Sequence, residues 1–165
     1  MSLFVTALNS GSNGNCFYIG NDHEAILIDA GISCRETERR MMRLGLSMKK
    51  VRGIFISHEY TDHVRGVRVL SKKYQLPVYN IPGTLVKGHL SEEDPLNRVL
   101  SPHQPVAVGN LSITAFPKYH DAFDPQSFVI RQDDICVGVF TDIGTPCDHV
   151  IKHFKCCHAV FLETN

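Results

Sequence analysis

Tryptophan is absent from this chain of 165 residues, net charge is absent too, and no apolar run approaches the length of a membrane span. Each shortage removes a class of protein. Lys plus Arg and Asp plus Glu both count 17, so nothing pulls the chain globally toward nucleic acid or an anionic membrane. A spanning helix needs roughly 18 or more apolar residues in a row, and the sequence holds no such candidate. The opening "MSLFVTALNS" has no basic residue before its apolar part and reads as a strand rather than a signal peptide. Six cysteines are present but none stands in a CxxC pair, which argues against a zinc ribbon or a redox dithiol. They lie mostly inside apolar runs, as free buried thiols do, and predict a reducing, cytoplasmic setting. Cys156-Cys157-His158 looks metal-like, but adjacent cysteines fit a tetrahedral site poorly, so the triplet reads as buried packing. Internal repeats, low-complexity tracts and linkers are missing as well.

What remains is ordinary globular composition, 43% apolar and 21% charged, with length enough for one domain and a substantial core. Residues 3–8, 16–20 and 25–30 read as strands, the first two joined by "NSGSNGN". A helix is predicted over 33–46, where Ser33 caps the start and Glu36 completes a capping box. "GIFIS" (53–57) reads as a buried strand. Residues 62–74 return to helical spacing, with Gly66 as an unfavourable interior residue. "LPVYN" (76–80) reads as a short strand. Residues 106–116 and 127–142 read as hairpins turning at Gly109-Asn110 and Asp133-Asp134. A last helix is predicted over 145–154, with Pro146 in its first turn, and a last strand from Ala159. The basic stretch 35–52 reads as a solvated helix face, with a phosphate-contact surface as the alternative. Strand-rich halves with helices between them predict an α/β or α+β layered sandwich. The chain stops on Asn165 directly from an apolar strand, which reads as a fragment of a longer domain.

Chemistry gathers where apolar runs end. Asp29 follows "AILI", the group His58, Glu59, Tyr60, Asp62 and His63 follows "GIFIS", and Asp142 follows "CVGVFT". A fourth cluster, His120, Asp121 and Asp124, comes shortly after "LSITAF". In layered α/β proteins, ligands collect beyond the carboxyl ends of strands, so four such clusters can converge on one site. Imidazoles and carboxylates without paired thiolates suit zinc or a similar borderline cation. Such a cation lowers the pKa of water to about 7, and two cations about 3.5–4 Å apart stabilise both the attacking and leaving oxygens of a phosphoester displacement. A carboxylate can bridge such a pair, and Asp142 is placed in sequence to do so. "SGSNGN", with Ser12, Asn13 and Asn15, can present backbone N–H groups to a substrate phosphate or simply form a hairpin turn.

At this point "HEYTDH" (58–63) resembles the HxHxDH signature of the metallo-β-lactamase superfamily. "LIDAG" with Asp29, "YHDAFDP" with His120 and "FTDIG" with Asp142 are similar to three further superfamily motifs, in the same order. The wording of "SGSNGNCFYI", "LIDAGIS" and "HDAFDP" is most similar to the YycJ/WalJ-like branch of exonuclease-type phosphodiesterases. The resemblance implies an αββα sandwich, two divalent metal ions (zinc first, manganese or iron as alternatives), hydrolysis of phosphodiesters and a DNA substrate. It implies that His58 and His120 hold the first metal, Asp62 and His63 the second, and that Asp142 bridges. It further implies that Asp62 orients the attacking hydroxide and that Asp29 braces the metal loop from behind.

Two departures follow. Tyr60 replaces the second histidine of the signature, leaving the first metal one ligand short. No late histidine of the superfamily pattern follows Asp142, and part of the second β-layer is expected to be missing with it. For Tyr60 the readings are a spectator ring, a hydroxyl contacting substrate or a ligand, or a phenolate ligand. Plainer readings stand beside these roles: Asp62 as a helix N-cap, His120 as a loop histidine satisfied by Asp121, Asp29 and Asp142 as turn residues. Two rival functions remain, hydrolysis of a thioester or lactam, and a metal-poor binding protein that keeps the fold without turnover.

Overall fold

The computed structural model describes residues 1–84 and 90–164. Among the described residues two sheets form. The first is ordered β1 (Phe4–Asn9), β2 (Cys16–Gly20), β3 (Ala25–Ile28), β4 (Val51–Phe55), β5 (Val78–Asn80) and β6 (Asn97–Val99). Its β1–β2–β3 part is antiparallel, and β3 through β6 run parallel. The second is ordered β11 (Ala159–Thr164), β10 (Ile135–Ile143), β9 (Gln126–Gln132), β8 (Leu111–Pro117) and β7 (Val106–Val108). Within it only β10–β11 is a parallel pair.

Side-chain alternation explains why the strands read as unbroken apolar runs. Phe17 and Ile19 of β2 and Ile26 and Ile28 of β3 point between the sheets, where they meet Ile113, Phe128 and Ile130. The intervening Tyr18 and Leu27 point to the opposite face, against Met41, Val67 and Leu70 of α1 (Cys34–Arg43) and α3 (Val67–Tyr74). On the far side of the second sheet, Phe116, Val129 and Phe140 cover Val150 of α4 (Asp148–Cys156). Both faces of the central strands β2, β3, β4, β9 and β10 are therefore largely dry, as strands buried between layers require. The layers run α, β, β, α.

Several expectations are corrected by this architecture. Among the described residues a second β-layer of five strands, β7 to β11, forms. The helix expected over 62–74 is two helices, α2 (Thr61–Val64) and α3, because Gly66 turns the chain inward. Its N–H donates to the Ala30 carbonyl at 2.8 Å, and a Cβ there would collide with the Ile32 carbonyl oxygen. The helix expected over 33–46 ends at Arg43. Gly45 adopts a left-handed φ of 69°, and the Leu46 N–H closes on the Met41 carbonyl at 2.9 Å. Only half of the capping box forms: Ser33 Oγ accepts from the Glu36 N–H at 3.2 Å, while the Glu36 carboxylate turns to Arg39 and Arg40. Pro146 precedes the cap of α4 instead of lying in its first turn. Strand β6 was not expected from its polar sequence. Cys156 is exposed rather than packed, whereas Cys157 sits 3.7 Å from the buried Cys136, sulfur to sulfur. His89 and Asn165 lie outside the described residues.

Candidate metal centre

Topology brings the four polar clusters to one rim. β3 and β4 are parallel neighbours, so Asp29 and the 57–63 segment leave the same edge of the first sheet. β8 and β10 both run antiparallel to β9, so the 118–124 loop and Asp142 leave a common edge of the second. Asp29 and Asp142 both take left-handed backbone angles, φ 61° and 50°. Aspartate tolerates that region better than bulkier residues, and such conformations concentrate at functional sites.

Asp29 is fully buried and organises the metal loop. Its Oδ1 accepts from the Ser57 N–H at 2.8 Å, and its Oδ2 accepts from Ser57 Oγ at 2.7 Å and His63 Nδ1 at 2.6 Å. Ser57 Oγ has one hydrogen and gives it to Asp29, so toward His58 Nδ1, 2.9 Å away, it is the acceptor. Both imidazoles are thus protonated on Nδ1 and turn Nε2 toward the rim. His63 Nε2 lies 2.9 Å from Asp142 Oδ2 and 3.4 Å from Asp62 Oδ2. His58 Nε2 lies 3.7 Å from the same Asp142 oxygen. Burial, then the nearby positive His63, drive the His58 pKa down to about 2, which keeps it neutral. For His63 burial opposes the charged form, but Asp29 and then Asp142 outweigh it and raise the pKa to about 10.

His120 joins from the second sheet, its ring edge-on to His58 with centroids 4.9 Å apart. The Asp121 carboxylate is largely exposed and lies 3.3 Å from His120 Nδ1. Tyr60 sets its ring edge-on to His58 and His120, at 5.1 Å and 5.4 Å, and its hydroxyl donates to the Asp121 backbone carbonyl. Asn15 is buried, with its amide nitrogen 3.3 Å from Asp62 Oδ2 and 3.2 Å from His63 Nε2. The N–H groups of Gly11, Gly14 and Asn15 are taken up inside the protein, as a hairpin turn requires. Ser12 and Asn13 are exposed. Ser12, Asn15, Asp62 and Asp142 line a cleft of about 430 Å³ together with Glu163.

Three residues here were not singled out in the sequence. Ser57 precedes His58 and relays Asp29 to it. Lys118 is buried, and its ammonium donates to the Thr141 carbonyl, directly before Asp142. Glu163, next to last in β11, lines the cleft and accepts from Ser10 Oγ. A lysine two residues before a cluster histidine was the available signal for the second, and a carboxylate near the end of an apolar strand for the third.

The donor set fits a divalent cation. His58 Nε2 and His120 Nε2 are buried without a hydrogen-bond partner, although buried polar atoms are normally satisfied. One ligand atom each from His58, His63 and Asp142 fall within 4.8 Å of one another. Imidazole nitrogens beside carboxylates, with no thiolate, are the ligands of zinc and its neighbours, and a bound cation would displace the second proton of His63.

An αββα sandwich with an imidazole and carboxylate cluster on its strand ends defines a class, the metal-centred sandwiches. Within it, the chain belongs to the metallo-beta-lactamase superfamily, whose family model matches residues 10–150. It is 32% identical over its whole length to "Exodeoxyribonuclease YycJ" of Bacillus anthracis, covering 64% of that protein. It is 28% identical over 96% of its length to "Exodeoxyribonuclease WalJ" of Streptococcus pneumoniae, covering 61%. The chain thus spans slightly less than two thirds of these relatives. Among solved structures, Rm3 metallo-beta-lactamase superposes with a TM-score of 0.71 at 19% identity, over 87% of this chain and 61% of that one.

Proposed function

We propose that this chain carries the metal centre of a metal-dependent hydrolase that cleaves phosphodiester bonds, with DNA as substrate and exonucleolytic release of nucleotides as the reaction. The observation that carries the reading is a pair of buried imidazole nitrogens without a hydrogen-bond partner, His58 Nε2, which converges with His63 and Asp142, and His120 Nε2, whose ring lies against His58. DNA as substrate is supported by the names of the two exodeoxyribonuclease relatives. A cytoplasmic setting goes with it, supported by free cysteines and by the absence, among the described residues, of a helix able to cross a membrane.

In this reading His58, His120 and Asp142 would hold one divalent cation, and Asp62, His63 and Asp142 would hold a second. Such cations make water acidic enough to attack at neutral pH and neutralise charge that develops on phosphoryl oxygens. The chain's own side chains do the rest. Asp29 and Ser57 fix the imidazole tautomers. Asn15 holds Asp62, whose carboxylate faces the cleft and would orient the attacking hydroxide. Asp62, Asp142 and Glu163 give the cleft a negative lining, which repels a phosphodiester unless cations offset it. That electrostatic argument ties substrate binding to metal.

Chromogenic phosphodiesters, thioesters and a lactam, each assayed with the metal-loaded protein and its His120→Ala variant, test the reading. Turnover of the diester alone, lost in the variant, is expected. Preference for the thioester or lactam assigns the chemistry to the other hydrolase branch. Turnover of the diester that survives His120→Ala contradicts the proposal. One observation favours the rival of a metal-poor binding protein: the Tyr60 hydroxyl is committed to the Asp121 carbonyl. That rival requires a wild-type chain with neither bound metal nor turnover.

A further inference from the structure

Tyr60 occupies the sequence position where the superfamily signature has a histidine, yet its polar atom is not turned toward the cluster. Its hydroxyl donates across a loop boundary to the Asp121 backbone carbonyl. Its neighbour Glu59 makes a parallel connection, accepting from the Phe123 N–H at 3.1 Å and 3.2 Å with its two carboxylate oxygens. Consecutive residues of the first-sheet loop are thereby fastened to consecutive stretches of the second-sheet loop, with His120 directly before the fastened segment. The Tyr60 ring fills the space beside both imidazoles, edge-on to each. A phenol that donates to a carbonyl is protonated and is not a phenolate ligand.

We infer that Tyr60 is a loop staple standing in a ligand's place, so that the two metal positions are unequal. One cation binds tightly among Asp62, His63 and Asp142, and a second binds much more weakly between His58 and His120. The weaker position has His58, His120 and the shared Asp142, and the staple, rather than a further imidazole, keeps its two rings in place. Tyr60 is therefore a positioning residue for His120 and the determinant of metal stoichiometry. The inference rests on the reading of this cluster as a metal centre, but not on the substrate.

The test is a titration of the metal-free full chain with Co(II), followed by its visible absorption, and with Zn(II), followed by calorimetry. Wild type is expected to take one equivalent tightly and a second with affinity lower by about tenfold or more, the scale on which a lost ligand or its support changes metal binding. Tyr60→His is expected to bring the two equivalents together. Tyr60→Phe, which removes only the hydroxyl, is expected to keep the first equivalent's affinity. Two equal sites in wild type, no tight equivalent at all, or loss of the tight equivalent in Tyr60→Phe overturns the inference. So does a phenolate charge-transfer band in Fe(III)-loaded wild type that Tyr60→Phe removes; this measurement needs no Tyr60→His protein. One tight cation without DNA cleavage leaves the inference standing and defeats the proposed activity. Two equal sites with DNA cleavage do the reverse.

Discussion

His63 Nδ1 donates to the Asp29 carboxylate over 2.6 Å, and this one bond fixes which nitrogen of His63 is left to face the cleft. The same carboxylate sets His58 through Ser57 Oγ. One buried aspartate on the first sheet thus controls two imidazoles of the cluster. Groups that orient metal ligands typically contribute about 10–100-fold to metal affinity. Asp29→Asn keeps the shape but offers the imidazoles an amide, and is expected to lower Zn(II) affinity by that factor. Competition titration against a chromogenic chelator checks it, and an unchanged affinity contradicts the tautomer argument.

Gly31 has no room for a side chain, since a Cβ would collide with the carbonyl oxygen of Asp62. Its own N–H donates to the Asn15 carbonyl at 2.8 Å. Forcing a methyl group between these two loops is overpacking of the kind that costs about 1–3 kcal/mol or more. Gly31→Ala is therefore expected to lower the thermal midpoint and metal content together. A variant with normal stability and normal metal content shows that the loops separate without consequence.

Lys118 sets two effects against each other. Burial drives its pKa down to about 8, so the ammonium is costly to keep. Its donation to the Thr141 carbonyl satisfies a buried acceptor directly before the left-handed Asp142. Lys118→Met removes the buried charge together with its hydrogen bond to the Thr141 carbonyl, a loss that costs about 1–3 kcal/mol. The two nearly offset each other in stability, whereas the placement of Asp142 is simply lost. The expected result is a thermal midpoint close to wild type with metal affinity down by about tenfold or more. Calorimetric Zn(II) titration and thermal melting of one sample check both halves.

Glu36 predicts an acid limb in the stability curve. Hydrogen bonds from Arg39 and then Arg40 hold its carboxyl down at a pKa of about 2. Arg40 also donates to the Leu8 carbonyl at 2.7 Å and to Asn9 Oδ1 at 2.6 Å, which anchors α1 to β1. A pKa lowered by folding means the unfolded chain binds the proton more readily, so stability rises with pH across the interval between the two values. The contribution is complete above the ordinary carboxylate pKa of about 4.3 and is lost as pH falls toward 2. The carboxyl is exposed, so the effect is small and screened by salt. Melting wild type and Glu36→Gln from pH 6 to 2 should show a stability gap that closes with acid.

Much of this arrangement was legible because chemistry-bearing residues directly follow apolar runs. Asp29, His58, His63, His120 and Asp142 all lie where strand-end reasoning places them, on one rim. Ser57 was not legible, since a serine at a strand end is indistinguishable from a turn residue until its hydroxyl is seen between two partners. The sequence leaves "SGSNGN" open between a phosphate contact and a plain hairpin turn, and nothing in it reveals that the Asn15 amide turns to Asp62. The split at Gly66 depends on backbone contact with Ile32, a long-range feature that local helical spacing cannot carry. β6 pairs with β5 through three residues of polar character, too short a run for a period to register.

The most direct test of the account is release of nucleotides from end-labelled DNA by the metal-loaded chain, run beside a chelated sample and Asp142→Asn. The account predicts metal-dependent release of short products that disappears in both controls while the variant stays folded. Release that persists in Asp142→Asn, or none from the loaded wild type, contradicts it.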